Sequence, residues 1–104
     1  MLYVLLADHA AEVCPLSNSK TREMMEKVGP EIPSIAARTG VKIVAGPYLN
    51  NEHLTVAIVE ADEAEPVDRF LVESRLAQWN KVRVIPSRTV QEAMSEPGQQ
   101  HPMF

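Results

Sequence analysis

Within His9-Ala10-Ala11-Glu12-Val13-Cys14-Pro15 the chain places an imidazole, a carboxylate and its only cysteine. Nitrogen, oxygen and sulfur donors in one short turn suit Zn, Ni, Cu or Fe, the borderline metals that accept imidazole. A second histidine, His53, follows Glu52 at the foot of another apolar run, so His9, His53, Cys14 and Glu12 form one candidate ligand set. The same imidazoles could work without a metal. His9 or His53 would then be a general base, because histidine titrates near neutrality, and Tyr48 or Arg83 would stabilise an enolate or carboxylate. A third chemistry, Cys14 as a nucleophilic thiolate at a helix entrance, lacks any surrounding hydrolase pattern. Each residue alone also has a plain structural role. A histidine at a strand end hydrogen-bonds, a Cys before Pro packs as a small hydrophobe, and Arg83 could pair with Glu60 or Asp62.

The elements that must position these groups follow from apolar periodicity. Leu2 to Asp8 is a dense apolar run without helical spacing and reads as a buried strand. After Pro15, Ser17-Asn18-Ser19 supplies N-cap candidates, and Met24, Met25, Val28, Ile32, Ile35, Ala36 and Thr39 recur at spacings of three and four. Gly29, Pro30 and Pro33 interrupt that stripe and predict a kink or two abutting helices, with Gly40 as the C-cap. Val41 to Ala45 and Leu54 to Ala61 read as a hairpin across the Gly46 to Glu52 loop. Asp62 to Pro66 is an acidic helix start, and Val67, Phe70, Leu71 and Ser74 mark its inner stripe, with fraying expected near Leu76 to Asn80. Lys81 to Ile85 forms a fourth strand closed by Pro86, and Thr89 with Glu92 predicts a capping box on a short last helix.

The order β-α-β-β-α-β is that of the split βαβ, ferredoxin-like arrangement: an α+β domain with a four-stranded antiparallel sheet in strand order 4-1-3-2. His9 and His53 then meet, with Tyr48, Asn80 and Lys81 at the same end of the sheet. Strand alternation sorts the residues into two faces. Leu2, Val4, Leu6, Val41, Ile43, Ala45, Leu54, Val56, Ile58, Val82 and Val84 are purely aliphatic and are expected under the helices. Tyr3, Leu5, Ala7, His9, Val44, Tyr48, His53, Thr55, Ala57, Val59, Arg83 and Ile85 are mixed and expected to meet a second copy, enclosing a pocket between two sheets. A homodimer through the sheet face is therefore predicted.

Composition narrows the field. The 104 residues suit one domain, residues 1–95, with a polar, Pro- and Gly-marked tail over 96–104 in which His101, Met103 and Phe104 lie. A formal charge of −4 without clustered Lys or Arg argues against nucleic-acid or anionic-membrane binding. No run approaches the length of a membrane span, and Met1 to Ala7 lacks the basic flank of a signal segment. A lone cysteine then reads as a reduced, cytoplasmic thiol.

His9-x-x-Glu12-x-Cys14-Pro15 after the first strand, Glu52-His53 leading into the third, and the acidic start of the second helix resemble a small, functionally uncharacterised family of the dimeric α/β-barrel superfamily. The similarity runs from about Met1 to Ile85. It implies a dimeric barrel and a superfamily that includes cofactor-independent monooxygenases, muconolactone-type isomerases, haem-dependent chlorite-dismutase relatives and small metal-responsive proteins. The paired prolines of the first helix depart from most members, and no histidine has the setting of a proximal haem ligand. The leading expectation is a small-molecule-binding protein, an oxygenase- or isomerase-like enzyme with a histidine-lined pocket. The alternatives are a transition-metal-binding or metal-sensing module and a structural dimer without catalysis.

Overall fold

A computed structural model describes residues 1–96, which form an α+β domain. Its strands are β1 (Leu2–Asp8), β2 (Lys42–Tyr48), β3 (Leu54–Glu60) and β4 (Lys81–Ser87). The helices are α1 (Ser19–Val28), α2 (Ile32–Thr39), α3 (Ala64–Glu73), α4 (Leu76–Trp79) and α5 (Val90–Ser95). All pairings are antiparallel, in the order β2-β3-β1-β4, which is 4-1-3-2 read from the other edge. The arrangement is consistent with a ferredoxin-like fold. Of the tail expected over 96–104, residues 97–104 lie outside the described residues. Among the described residues, no helix is long and apolar enough to cross a membrane.

Local chemistry sets the helix limits. Asn18 caps α1 by accepting a hydrogen bond from the Thr21 N–H at 3.0 Å. The prolines divide the helical stripe rather than end it. Gly29–Glu31 forms a 3₁₀ turn, and Pro33 stands in the first turn of α2, where a missing N–H costs little. Gly40, at φ +85°, closes α2 in the left-handed conformation. The fraying expected near Leu76 to Asn80 does not occur. Arg75 takes φ +65°, ends α3 and lets the chain restart as α4, while buried Ser74 accepts a long hydrogen bond from the Leu76 N–H. β2 and β4 both run further than expected, through Pro47 and Pro86. Each is an edge strand, where proline removes no obligatory ladder bond. Thr89 and Glu92 form the predicted capping box.

The helix-covered face is the reverse of the expectation for β1 and β3. Tyr3, Leu5 and Ala7, with Thr55, Ala57 and Val59, are buried beneath the helices, packed with Phe70, Val67 and Leu71 of α3 and Ile35 and Ala36 of α2. Cross-strand pairing then places Val82 opposite Ala7, Val84 opposite Leu5 and Ile43 opposite Val59, on the same covered face. Leu2, Val4, Leu6, Leu54, Val56 and Ile58 point the other way, and no layer formed by the described residues covers them. Arg83, paired with Leu6, and Tyr48, paired with Val56, share that open face.

Candidate metal centre

The end of the sheet where β1 stops and β3 begins gathers the two histidines and the cysteine. The His9 N–H donates to the His53 carbonyl at 3.1 Å, tying the strand ends together. His53 itself sits at φ +59°, a left-handed conformation that is uncommon outside glycine but in which histidine is enriched. Asn50 imposes it: its side-chain oxygen accepts from the Glu52 and Leu54 N–H groups, and its amide donates to the Leu54 carbonyl at 2.7 Å. This closed turn directs the His53 ring towards His9, and the ring centroids lie 5.4 Å apart at an interplanar angle of 77°.

Cys14 arrives from the loop before α1. Its carbonyl accepts the Ser17 and Asn18 N–H groups at 2.9 and 2.7 Å, and the Arg22 side chain donates to the carbonyls of Pro15 and Leu16. The loop is therefore pinned at several points, and Cys14 is completely buried. One ligand atom each from His9, Cys14 and His53 lies within 4.8 Å of the others. In a tetrahedral site with metal–nitrogen bonds of about 2.0–2.1 Å, two imidazole centroids stand about 5.2 Å apart, close to the separation seen here. Donor atoms in such a site are about 3.3–3.6 Å apart, so small side-chain rotations would bring the three donors onto one ion.

A fourth group settles which nitrogen of His9 is free. His9 Nδ1 lies 2.9 Å from Asn80 Oδ1, and Asn80 Nδ2 donates to the Leu76 carbonyl at 2.9 Å. That second bond orients the Asn80 amide with its oxygen towards His9, so Nδ1 carries the proton and Nε2 keeps its lone pair. Metal-bound histidines commonly hold their other ring N–H in this way. The site also faces Trp79, whose ring packs edge-on against His9 with centroids 4.8 Å apart.

Four buried side-chain polar atoms lack a hydrogen-bond partner among the described residues: His9 Nε2, His53 Nδ1, Thr55 Oγ1 and Trp79 Nε1. All belong to this one region. Each such atom costs about 1–3 kcal/mol of desolvation if nothing compensates it, so their concentration calls for an occupant.

No family model, curated protein or solved structure matches the chain. The site therefore rests on its own geometry.

The structure brings together His9, His53 and Cys14 but not the remaining candidates. Glu12 is exposed and lies outside the three-residue group, its carbonyl accepting from the Asn18 amide. Tyr48, 60% exposed, and exposed Arg83 stand on the open face, whereas both imidazoles lie on the helix side. Among the described residues Arg83 forms no ion pair with Glu60 or Asp62. Asn80, noticed only for its position, proves to orient His9. Trp79 and Thr55 carried no chemical motif, and only the turn at Arg75 and the sheet register place them here.

Proposed function

We propose that the protein binds a transition metal through His9, His53 and Cys14. The observation that carries this reading is the pair of inward imidazole nitrogens, both buried, both without partners, and grouped with a buried thiol. Two nitrogen donors and one sulfur donor suit Zn, Ni, Cu or Fe, and three protein ligands leave a coordination position open, as in catalytic or sensing sites. Glu12 is not needed. Elemental analysis of the purified, untagged protein beside His9→Ala, His53→Ala and Cys14→Ser tests the reading. Stoichiometric metal, lost in all three folded variants, is the expected result. A protein that is metal-free and takes up neither Zn²⁺ nor Co²⁺ after dialysis would overturn it and leave water as the occupant.

The assembly proposed is a homodimer of the dimeric α/β-barrel type, formed through the open sheet face. Its support is the row Val4, Leu6, Val56 and Ile58, with Val44 and Tyr48 51% and 60% exposed beside it. An aliphatic sheet face on so small a chain is economical only if another surface covers it, and an isologous sheet-on-sheet contact would do so.

A further inference from the structure

We infer that the open coordination position is completed by a small aromatic or enolic oxygen donor, bound as a monoanion with its apolar body in the pocket between the helices and the sheet. The inference rests on the metal reading above and specifies its ligand class.

A pocket of about 270 Å³ adjoins the three ligands through their neighbours: Pro15 follows Cys14, Thr55 lies two residues beyond His53, and Trp79 packs on His9. Met25, Ile32 and Leu76 contribute to its apolar wall. The volume matches about nine waters at roughly 30 Å³ each, enough for one substituted ring and too little for a nucleotide or a long chain. None of the three ligands is itself in the lining of either this pocket or a larger groove of about 600 Å³ between α2 and β2, but the groove contains Lys42 and lacks Pro15, Thr55 and Trp79, the residues that connect the smaller pocket to the ligands.

Charge then selects the head group. A divalent ion with two neutral imidazoles and one thiolate carries a net charge of +1, and the 270 Å³ pocket has no Lys, Arg, Asp or Glu in its lining. A buried uncompensated charge is costly, so the ligand that suits the site brings one negative charge on the atom that meets the metal. A phenolate or enolate does this with an apolar remainder. On binding, the neutral phenol or enol loses its hydroxyl proton to the buffer and its oxygen forms the new bond to the metal. The unpartnered Trp79 N–H can only donate and the Thr55 hydroxyl can donate or accept, so both suit a ligand oxygen. A carboxylate-rich or phosphorylated ligand would find no basic side chain in the pocket wall.

The test uses Co²⁺-loaded protein, with p-cresol as the probe and toluene as its counterpart lacking the hydroxyl. Cobalt content, visible absorption and calorimetric affinity are recorded on the same samples. The inference expects p-cresol to shift the cobalt spectrum and to bind the loaded protein at least tenfold more tightly than the metal-free protein, with toluene showing no such difference. Leu49→Trp, at a partly exposed position on the pocket wall, should keep the cobalt and lose the p-cresol response. Protein that holds cobalt yet ignores millimolar p-cresol would overturn this inference alone. Protein that takes up no cobalt would overturn both the inference and the metal site beneath it.

Discussion

Asn80 holds His9 from behind: its side-chain oxygen meets His9 Nδ1 at 2.9 Å while its amide is anchored on the Leu76 carbonyl. The interaction spans 71 residues and fixes both the ring and its proton. His9 Nε2 is thereby left as an inward lone pair at the point where the His53 ring approaches.

Removing that hold should weaken metal binding without removing a ligand. Asn80→Ala is expected to lower metal affinity by about 10–100-fold, the usual effect of losing a partner behind a metal-bound histidine. It should also cost about 1 kcal/mol of stability, because the part-buried ring N–H loses its acceptor. Competition against a chelator of known affinity measures the first effect and urea denaturation the second.

Metal uptake should stabilise the fold. The three ligands come from the end of β1, the loop before α1 and the turn before β3, so the ion joins segments that separate on unfolding. At a hundredfold excess over Kd the gain is about 2.7 kcal/mol. For a domain of this size that raises Tm by roughly 10 °C or more. Calorimetry of protein with and without a chelator checks it, and an unchanged Tm in protein known to bind the ion would contradict the placement of the ligands.

Thr55 offers a test of the orphan hydroxyl. Thr55 is only 5% exposed, and its hydroxyl has no partner. Thr55→Val should therefore stabilise the metal-free protein by about 1 kcal/mol, because the desolvation penalty disappears with the hydroxyl. A loss of stability in urea denaturation would mean that the hydroxyl already has a partner, such as an ordered water.

Gly46 is demanded by geometry. It lies at φ +80°, and an added Cβ would come within 2.6 Å of the Val56 carbonyl oxygen. The left-handed conformation alone costs an L-residue about 1–2 kcal/mol, and relieving the clash would shift β2 against β3. Gly46→Ala should lose at least about 2 kcal/mol, seen as a lower denaturation midpoint at unchanged slope. Since Pro47 lines the pocket, the same variant should also weaken p-cresol binding.

The open sheet face yields a prediction independent of the metal. Ile58→Lys places a charge in the middle of the aliphatic row while leaving the covered core untouched. Wild-type protein is expected to sediment as a dimer and the variant as a folded monomer with unchanged far-UV circular dichroism. A monomeric wild type at high micromolar concentration would refute the proposed assembly.

Much of the architecture is legible along the chain because its signals are local. The unbroken apolar run of β1, the prolines at 30 and 33, Gly40 after α2 and the Thr89–Glu92 box act through neighbouring backbone groups, and each is found in its expected role. The strand order follows from the element order and brings His9 to His53. Which face of the sheet the helices cover was not determined by those signals. Alternation identifies residues that share a face within one strand, but β1 is apolar on both faces, so burial preference does not choose between them. Cross-strand register also decides that Val84 joins Leu5 while Arg83 joins Leu6, and this sends Tyr48 and Arg83 away from the histidines. Trp79 and Asn80 reach the site only because Arg75 turns left-handed and restarts the helix. Metal-ligating residue types can be recognised one at a time, whereas the unpaired nitrogens and the pocket beside them arise from contacts between segments far apart in the chain.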